Sequence, residues 1–448
     1  MRQIIDFQGQ LKFYNSQSQK SKEYEKINEI LEKNPTVVYE VAKDFKTKKG
    51  KIVGAKGLTV DQVIRLGILK QKEQISYDEL RNGLYDNIVY QNFSKLYIKR
   101  PPRKSTLQNN IKRISTKSWE KIMELPVKEA REKKIEKLRK IRMDATGVET
   151  NIHPPTDSRL LWDCCRVLSR LMVCVKDEYP EMIFSYHDHT KRVKRRVYFI
   201  SNTKKKEKRK KAYTDIVRMM KHIKRYAVEC IHGLKTEERK GDIEAKVYRQ
   251  EIEKYLSCLE CIINQMRRRV FQGEKIDAHE KLVSIFEPHT DIIVKGGRAP
   301  LFGHKILLTG GESGLIVDCL IKKGNWNDKN CFEEGLDSFE NKYSCVPKEI
   351  ATDGGFASTH NYLYAQSKGI SRVLFTKKMP SRIVEYIKTS RAYKKLRNFR
   401  AGIEGSISAA KRAYGLDRCI WKGWEGFQQY VLSCIAAFNF TTVARALL

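Results

Sequence analysis

A single strand-like run, then a long stretch of helices, then four further strand-like runs is the pattern that most limits how this 448-residue chain can fold. In KLRKIRMDATGVETNIHPPTDS, Ile141 and Met143 alternate with polar neighbours until Pro154-Pro155, which predicts a strand over residues 138–150. From Ser158 to about Gln272 the texture changes to long helices, expected at Leu160 to Val175, Thr214 to Gly233 and Asp242 to Phe271. The last carries Tyr255, Leu259, Ile262 and Met266 at helical spacing. Later, GHKILLTGG and SGLIVDCLIK read as a hairpin turning at Gly310-Gly311-Glu312. A helical CFEEGLDSFENKY, a strand in PKEIATDGGF, a helix near Asn361 to Ser367 and a strand in SRVLFTKK follow. Two helices close the chain, one in NFRAGIEGSISAAKRAYGLDR and an apolar one in GFQQYVLSCIAAFNFTTVARAL. The order is that of an α/β protein but not of a doubly wound nucleotide fold, and neither GxGxxG nor GxxxxGK[ST] is present.

Residues 1–130 read as mostly helical. Thr59 caps a helix carrying Val63, Leu66 and Leu69, and Ser76-Tyr77-Asp78-Glu79 is a capping box ahead of Leu80 and Leu84. After Pro101-Pro102, Ser105 and Gln108 repeat that box at the head of STLQNNIKRIS, so three short helices with a polar last one form a helix-turn-helix-like unit. Gln108, Asn109, Asn110, Lys112 and Arg113 on the last helix are the side-chain types that read adenine edges and hold phosphates, or else an ordinary solvated face.

Charge supplies the partner. Lys+Arg 88 against Asp+Glu 53 leaves +35, which points to double-stranded DNA or to RNA ahead of an anionic membrane surface. No run of about 18 apolar residues appears and MRQIIDFQGQ lacks a signal-peptide core, so no membrane partner and a cytoplasmic location are expected. Eleven scattered cysteines fit reduced thiols, and the Cys258/Cys261 pair, without a second pair at zinc-like spacing, fits helix packing. Twelve bases and one acid lie between Lys191 and Lys211. Lys204, Lys205 and Lys206 are among them, and the block reads as a phosphate-tracking segment or a solvated loop. His187-Asp188-His189 opens that block as a loop rather than a metal site, while Lys295, Arg298, His304 and Lys305 are phosphate contacts or plain solvent-facing bases.

Three acids sit where phosphodiester chemistry would want them. Asp144 lies in the first strand, Asp353 follows a later strand just before Gly354-Gly355, and Glu404 lies on a late helix. Two divalent metals can activate a hydroxyl and stabilise a leaving oxyanion, and hard carboxylate oxygens suit Mg²⁺ or Mn²⁺. Spacing alone leaves Glu149, Asp157, Asp163, Asp291 and Asp318 as competitors. Arg400, Glu404 and Lys411 share one helix face, either a surface ion pair worth roughly 0.3–0.5 kcal/mol or a carboxylate positioned between phosphate-holding bases. The small residues Ala401, Gly402, Gly405, Ser406 and Ala409 allow close approach to a sheet or to DNA.

With ISYDEL, RMDATGVETNIHPPTDS, HTDIIVKGGRAPLFGHKILL, ATDGGFAS and the segment from Phe399 through Asn439, nearly the whole chain resembles a DDE transposase of bacterial insertion sequences. It is most similar to the ISNCY grouping, near the branch with a YREK signature, whose R-x3-E-x6-K matches Arg400, Glu404 and Lys411 and whose tyrosine is here Arg397. The resemblance implies an α/β, ribonuclease H-like catalytic core with Asp144, Asp353 and Glu404 as catalytic acids and ligands of two Mg²⁺ ions, for which Mn²⁺ can substitute. It divides the chain into a helical DNA-binding domain at 1–130, core at 131–157, a basic helical insertion at 158–278 and the rest of the core at 279–448. It also implies cleavage at terminal inverted repeats, joining of the freed 3′-hydroxyl to target DNA, and action as a homodimer on nucleoid DNA. A catalytically silent DNA-binding descendant and an RNA-binding protein are the competing expectations.

Overall fold

The computed structural model describes residues 18–46, 57–96, 100–294, 299–376 and 390–448, so Lys295 and Arg298 lie outside the described residues. Contacts divide it into Met1–Asn151 with Gly303–Leu448, and Ile152–Phe302.

In the first unit the leading helices are α1 (Gln19–Glu32), α2 (Pro35–Ala42), α3 (Val60–Lys72), α4 (Tyr77–Asp86), α5 (Ile88–Ser94), α6 (Lys104–Ile111) and α7 (Thr116–Glu132). Thr59 with Gln62 and Ser76 with Glu79 form complete capping boxes at the heads of α3 and α4. The box expected at Ser105 and Gln108 is not made. α6 begins at Lys104, so Ser105 already lies in its first turn, and the N-cap Arg103 makes no side-chain cap bond.

β1 (Lys140–Glu149) follows the expected strand closely. The second unit then holds α8 (Asp157–Glu178), α9 (Thr190–Asn202), α10 (Lys206–Arg239), α11 (Ile243–Met266) and the short β2 (Asp291–Ile293). Its apolar cluster is its own: α8 contributes Leu161, Leu168 and Met172, α10 Ile216, Met220 and Ile223, and α11 Leu259 and Ile262. α9 falls inside the basic block. Val193, Val197 and Ile200 give it a buried stripe, so the bases ride on a packed amphipathic helix rather than a loop.

The chain continues with β3 (Leu301–Gly310), β4 (Ile316–Ile321), α12 (Phe332–Tyr343), β5 (Glu349–Thr352), α13 (Thr359–Ser367), β6 (Arg372–Phe375), α14 (Arg391–Tyr414) and α15 (Gly423–Ala446). In the first unit the strands lie in the order β4-β3-β1-β5-β6. β3 is antiparallel to both β1 and β4, and β5 is parallel to both β1 and β6. The β3–β4 turn is held by the buried Glu136, whose carboxylate accepts from the backbone N–H and hydroxyl of Ser313. Gly311 is required there, since a Cβ would stand 2.2 Å from that carboxylate.

A division near residue 130 is not where the contacts divide the chain. α15 packs on α7, α3 and α1, and one apolar cluster runs from Tyr24 and Trp119 through Ile141 and Leu308 to Ile435 and Phe440. An apolar helix with almost no polar face must be covered on most sides, and the leading helices supply the cover. Asn439, fully buried on α15, satisfies both halves of its amide on the backbone N–H and C=O of Ile316. Among the described residues no helix is long and apolar enough to cross a membrane.

Candidate active site

The site starts from the register of two parallel strands. Met143 of β1 pairs with Thr352 of β5, so the next residues, Asp144 and Asp353, emerge side by side where β5 ends. The carboxyl ends of parallel strands are where α/β sheets open a crevice. Asp144 stays in the strand opposite Leu308, and its carboxylate accepts from the Ala145 N–H at 2.8 Å. Asp353 leaves the sheet into the turn Gly354–Phe356 and accepts from the Thr376 hydroxyl at 3.1 Å, just beyond β6.

α14 brings the third acid. Strand alternation puts Arg142 on the same face of β1 as Asp144, and α14 lies over that face. The Arg142 guanidinium donates to the Phe399 carbonyl at 2.7 Å and lies 4.7 Å from the Phe399 ring centroid. Burial pulls its pKa below the ordinary arginine value. Gly402 makes that fit possible, because a Cβ there would stand 2.0 Å from Arg142 Nη1. Further along, the Ser406 hydroxyl donates to the Gly314 carbonyl at 2.8 Å and Lys411 Nζ donates to the Gly147 carbonyl at 2.8 Å. The small residues of α14 differ in surroundings: Ser406 is buried against the β3–β4 turn and Gly402, though exposed, abuts Arg142, whereas Gly405 is exposed with nothing within 4 Å of where a Cβ would stand.

Arg400 is the hub. Its Nη1 meets Glu404 Oε1 at 2.5 Å, and its Nη2 meets Asp144 Oδ2 at 3.3 Å and Asp353 Oδ1 at 3.9 Å. The side chain of Arg400 is only 14% exposed, while Asp353 and Glu404 are 49% and 61% exposed. One guanidinium thus draws together three carboxylates from β1, the end of β5 and α14, leaving an excess of negative charge open to solvent. Among the described residues the buried Nε of Arg400 has no hydrogen-bond partner, so there the guanidinium is held by the acids rather than by a complete network.

The donor set fits a hard divalent cation, since all three groups are carboxylates and two face solvent. Among the described residues the grouping tight enough to share one ion as it stands is a different one, Asp277, His279 and Glu280. It is exposed, and Glu280 already accepts from Arg268 at 2.8 Å. Three of the five competing acids are otherwise employed: Asp157 pairs with Arg269, Asp163 with His153 and Arg166, and Asp318 with Lys342 and Ser338.

The other expected contacts are dispersed. Lys411 is engaged by Gly147 and, at 3.4 Å, by Asp417. Arg397 is exposed on α14. On α6, Asn109 is exposed and Gln108 half-buried, while Asn110 donates to the Thr106 carbonyl. Lys112 sits 5.9 Å over the Trp421 ring, and Arg113 donates to the Asp44 carbonyl and stacks over Phe45. Lys305 turns inward, 9% exposed, to the Trp326 carbonyl and Asp328, and His304 is fully buried against Trp424 and Phe427. Both lie on the central β3, which has no solvent-facing side there. Lys204, Lys205 and Lys206 are exposed at the α9–α10 join, and His187 and His189 precede α9 with ring centroids 4.9 Å apart. Arg142 and Thr376 are the site residues that sequence reasoning misses. The alternation that marks Asp144 as facing away from Ile141 and Met143 marks Arg142 as well.

Residues 295–440, roughly a third of the chain, match the family model described as the transposase DDE domain. The match spans Asp353, Glu404 and all of α14, begins after Asp144, and supports a DDE-type transposase. No curated protein and no solved structure matches the chain.

Proposed function

We propose that this protein is a DDE transposase that cuts the terminal inverted repeats of an insertion sequence and joins the freed 3′-hydroxyl to target DNA. The observation that carries the reading is the convergence of Asp144, Asp353 and Glu404, distant in sequence, on the single guanidinium of Arg400. The match to a transposase DDE domain supports it independently, and so does a net charge of +35. The strand order β4-β3-β1-β5-β6, two antiparallel pairings followed by two parallel ones, supports a ribonuclease H-like core with the helices of 158–278 as an insertion after its first strand. The spacing of Arg400, Glu404 and Lys411 favours the YREK branch of the ISNCY-like elements, with Arg397 at the tyrosine position.

In this mechanism Asp144, Asp353 and Glu404 would hold two Mg²⁺ ions, or Mn²⁺ in their place, which would supply activation of the attacking hydroxyl and stabilisation of the leaving oxyanion. The chain's own groups do the positioning. The Ala145 N–H and the Thr376 hydroxyl orient the two strand-end carboxylates, and Arg142 with Gly402 sets the height of Glu404 over the sheet. Arg400 holds the acids together before catalysis and is placed to meet phosphate oxygens once they are occupied. Exposed Asn109 on α6 and the lysines at 204–206 extend the contacts along duplex DNA, and two copies of the chain hold two ends.

The test is cleavage of a duplex carrying the element's own terminal repeat in Mg²⁺, for wild type and for Asp144→Ala, Asp353→Ala and Glu404→Ala. Wild type should cut and strand-transfer, and each variant should fall to background while still binding the duplex. Equal activity in wild type and variants would overturn the catalytic reading and leave a silent DNA-binding descendant.

A further inference from the structure

Where the last turn of α14 meets the α3–α4 turn, the protein forms an open pocket of about 280 Å³ that the catalytic acids do not line. Lys70, Gln71 and Gln74 form one side, and Lys411, Asp417 and Arg418 the other. Its walls are fixed by hydrogen bonds from the α3–α4 turn and from α15 to the end of α14. The Gln71 amide donates to the Tyr414 carbonyl at 2.7 Å, the Gln74 amide to the Arg412 carbonyl at 3.0 Å, and the Tyr430 hydroxyl to the Gly415 carbonyl at 2.9 Å. Gly415 has φ +76°, and a Cβ on it would stand 2.7 Å from that hydroxyl.

Lys70 is the anomaly. It is 3% exposed, its ammonium makes no ion pair with a carboxylate among the described residues, and it lies 4.8 Å from the centroid of the Tyr77 ring. Burial pulls its pKa below the ordinary lysine value; Cys434 and Glu79 oppose that pull and Lys112 adds to it. With only Glu79 as a carboxylate acting on it from a distance, an ammonium this deeply buried is costly to keep charged, and an anion entering the pocket would offset that cost. The rest of the lining agrees in sign, with Lys411 and Arg418 against the single Asp417, which is 68% exposed at the rim.

We infer that this cavity is a phosphate-binding site, and that its occupant is a backbone phosphate of the bound DNA strand held by Lys70, Lys411 and Arg418. The assignment of DNA as the source rests on the transposase reading. Lys411 also donates to Gly147, three residues beyond Asp144 on β1, so a phosphate here lies about 10 Å along that strand from the first acid. One DNA strand can reach both. Lys70 comes from the leading helices, so the site would couple their docking to the catalytic sheet through a single phosphate.

The experiment uses the full chain in EDTA, so that no cutting occurs. Binding of a fluorescein-labelled terminal-repeat duplex is followed by anisotropy over a range of KCl concentrations, for wild type and Lys70→Met. The variant should bind about tenfold more weakly at the lower salt, and the slope of log K against log salt should shrink by about one. Its DNA-free melting temperature should equal or exceed that of wild type, because the buried charge is gone. Should Lys70→Met fail to fold, Arg418→Gln at the exposed rim must show the same loss of slope. In a second arm, inorganic phosphate replaces chloride at matched ionic strength in a thermal melt. Stabilisation of wild type but not Lys70→Met, with unchanged DNA binding, would keep the anion site and reject DNA as its source. Unchanged DNA binding and an unchanged phosphate shift would overturn the proposal. Because no metal is present, neither result depends on the cleavage test.

Discussion

Gly402 and Gly405 stand three residues apart on α14 and face opposite demands. At Gly402 an added methyl would meet Arg142 Nη1 at 2.0 Å, the far end of a long side chain pinned by the Phe399 carbonyl and ring. Gly402→Ala should therefore destabilise by about 1–3 kcal/mol in urea unfolding, and cleavage should fall further than stability because Glu404 rides on the displaced helix. At Gly405 nothing lies within 4 Å, so Gly405→Ala should stabilise by about 0.5–1 kcal/mol, as alanine does in an open helix interior. A second prediction concerns Arg400, which occupies the carboxylate oxygens that the proposed metal ions would need. In Arg400→Gln that competition is gone. The Mg²⁺- or Mn²⁺-dependent rise in melting temperature, read without DNA, should reach half its maximum at a lower metal concentration than in wild type. An unchanged midpoint would mean that the guanidinium and the ions do not share those oxygens. At this scale the acid on α14 and its two flanking bases are legible from spacing. The engagement of Lys411 with a strand carbonyl is not, because it depends on how far the helix sinks toward the sheet, which Gly402 sets.

Three helices meet at one carboxylate in the leading part of the chain. Glu23 on α1 accepts from Lys72 on α3 at 2.7 Å and from Arg445 on α15 at 2.6 Å. Burial by itself pushes the Glu23 pKa up, but the two cations outweigh it and hold the group below its ordinary 4.5. A depressed carboxylate contributes stability above its unfolded value, and that contribution is lost as pH falls through the folded one. Acid should thus loosen the α1–α3–α15 contact below about pH 4.5. Glu23→Gln should be less stable than wild type at pH 7 and show a flatter fall in stability between pH 5 and 3, followed by circular dichroism. Elements with strong local signals are legible from sequence: β1, the β3–β4 hairpin, the cap at Thr59 and the box at Ser76 all form. Ser105 shows the limit, since its box pattern is overruled by a helix that starts one residue earlier. α9 shows another limit: Val193, Val197 and Ile200 form a thin apolar stripe among bases, and only packing against α8 and α10 reveals it as a core-facing helix.

At the level of the whole molecule, the apolar clusters predict which pieces of the chain can stand alone. Ile152–Phe302 has its own core, so that segment expressed by itself should fold with a cooperative thermal melt followed by circular dichroism. Residues 1–130 should not, because α3 and α7 bury their apolar faces under α15; this fragment should bind a hydrophobic dye or aggregate. A long-range division of this kind is poorly legible in sequence, where a helical segment carries no mark of which distant helix covers it. The interruption of the sheet also sets a timetable. Both strands that flank β1 lie beyond the 152–302 segment, so a nascent chain carries Asp144 for roughly 8–30 s of synthesis before β3 follows it. Folding of the intervening unit on its own would shorten the loop that must close, and Glu404 emerges last of the three acids. A partly made chain therefore lacks a complete set of acids, and on the proposed function it could not cut until α14 is made.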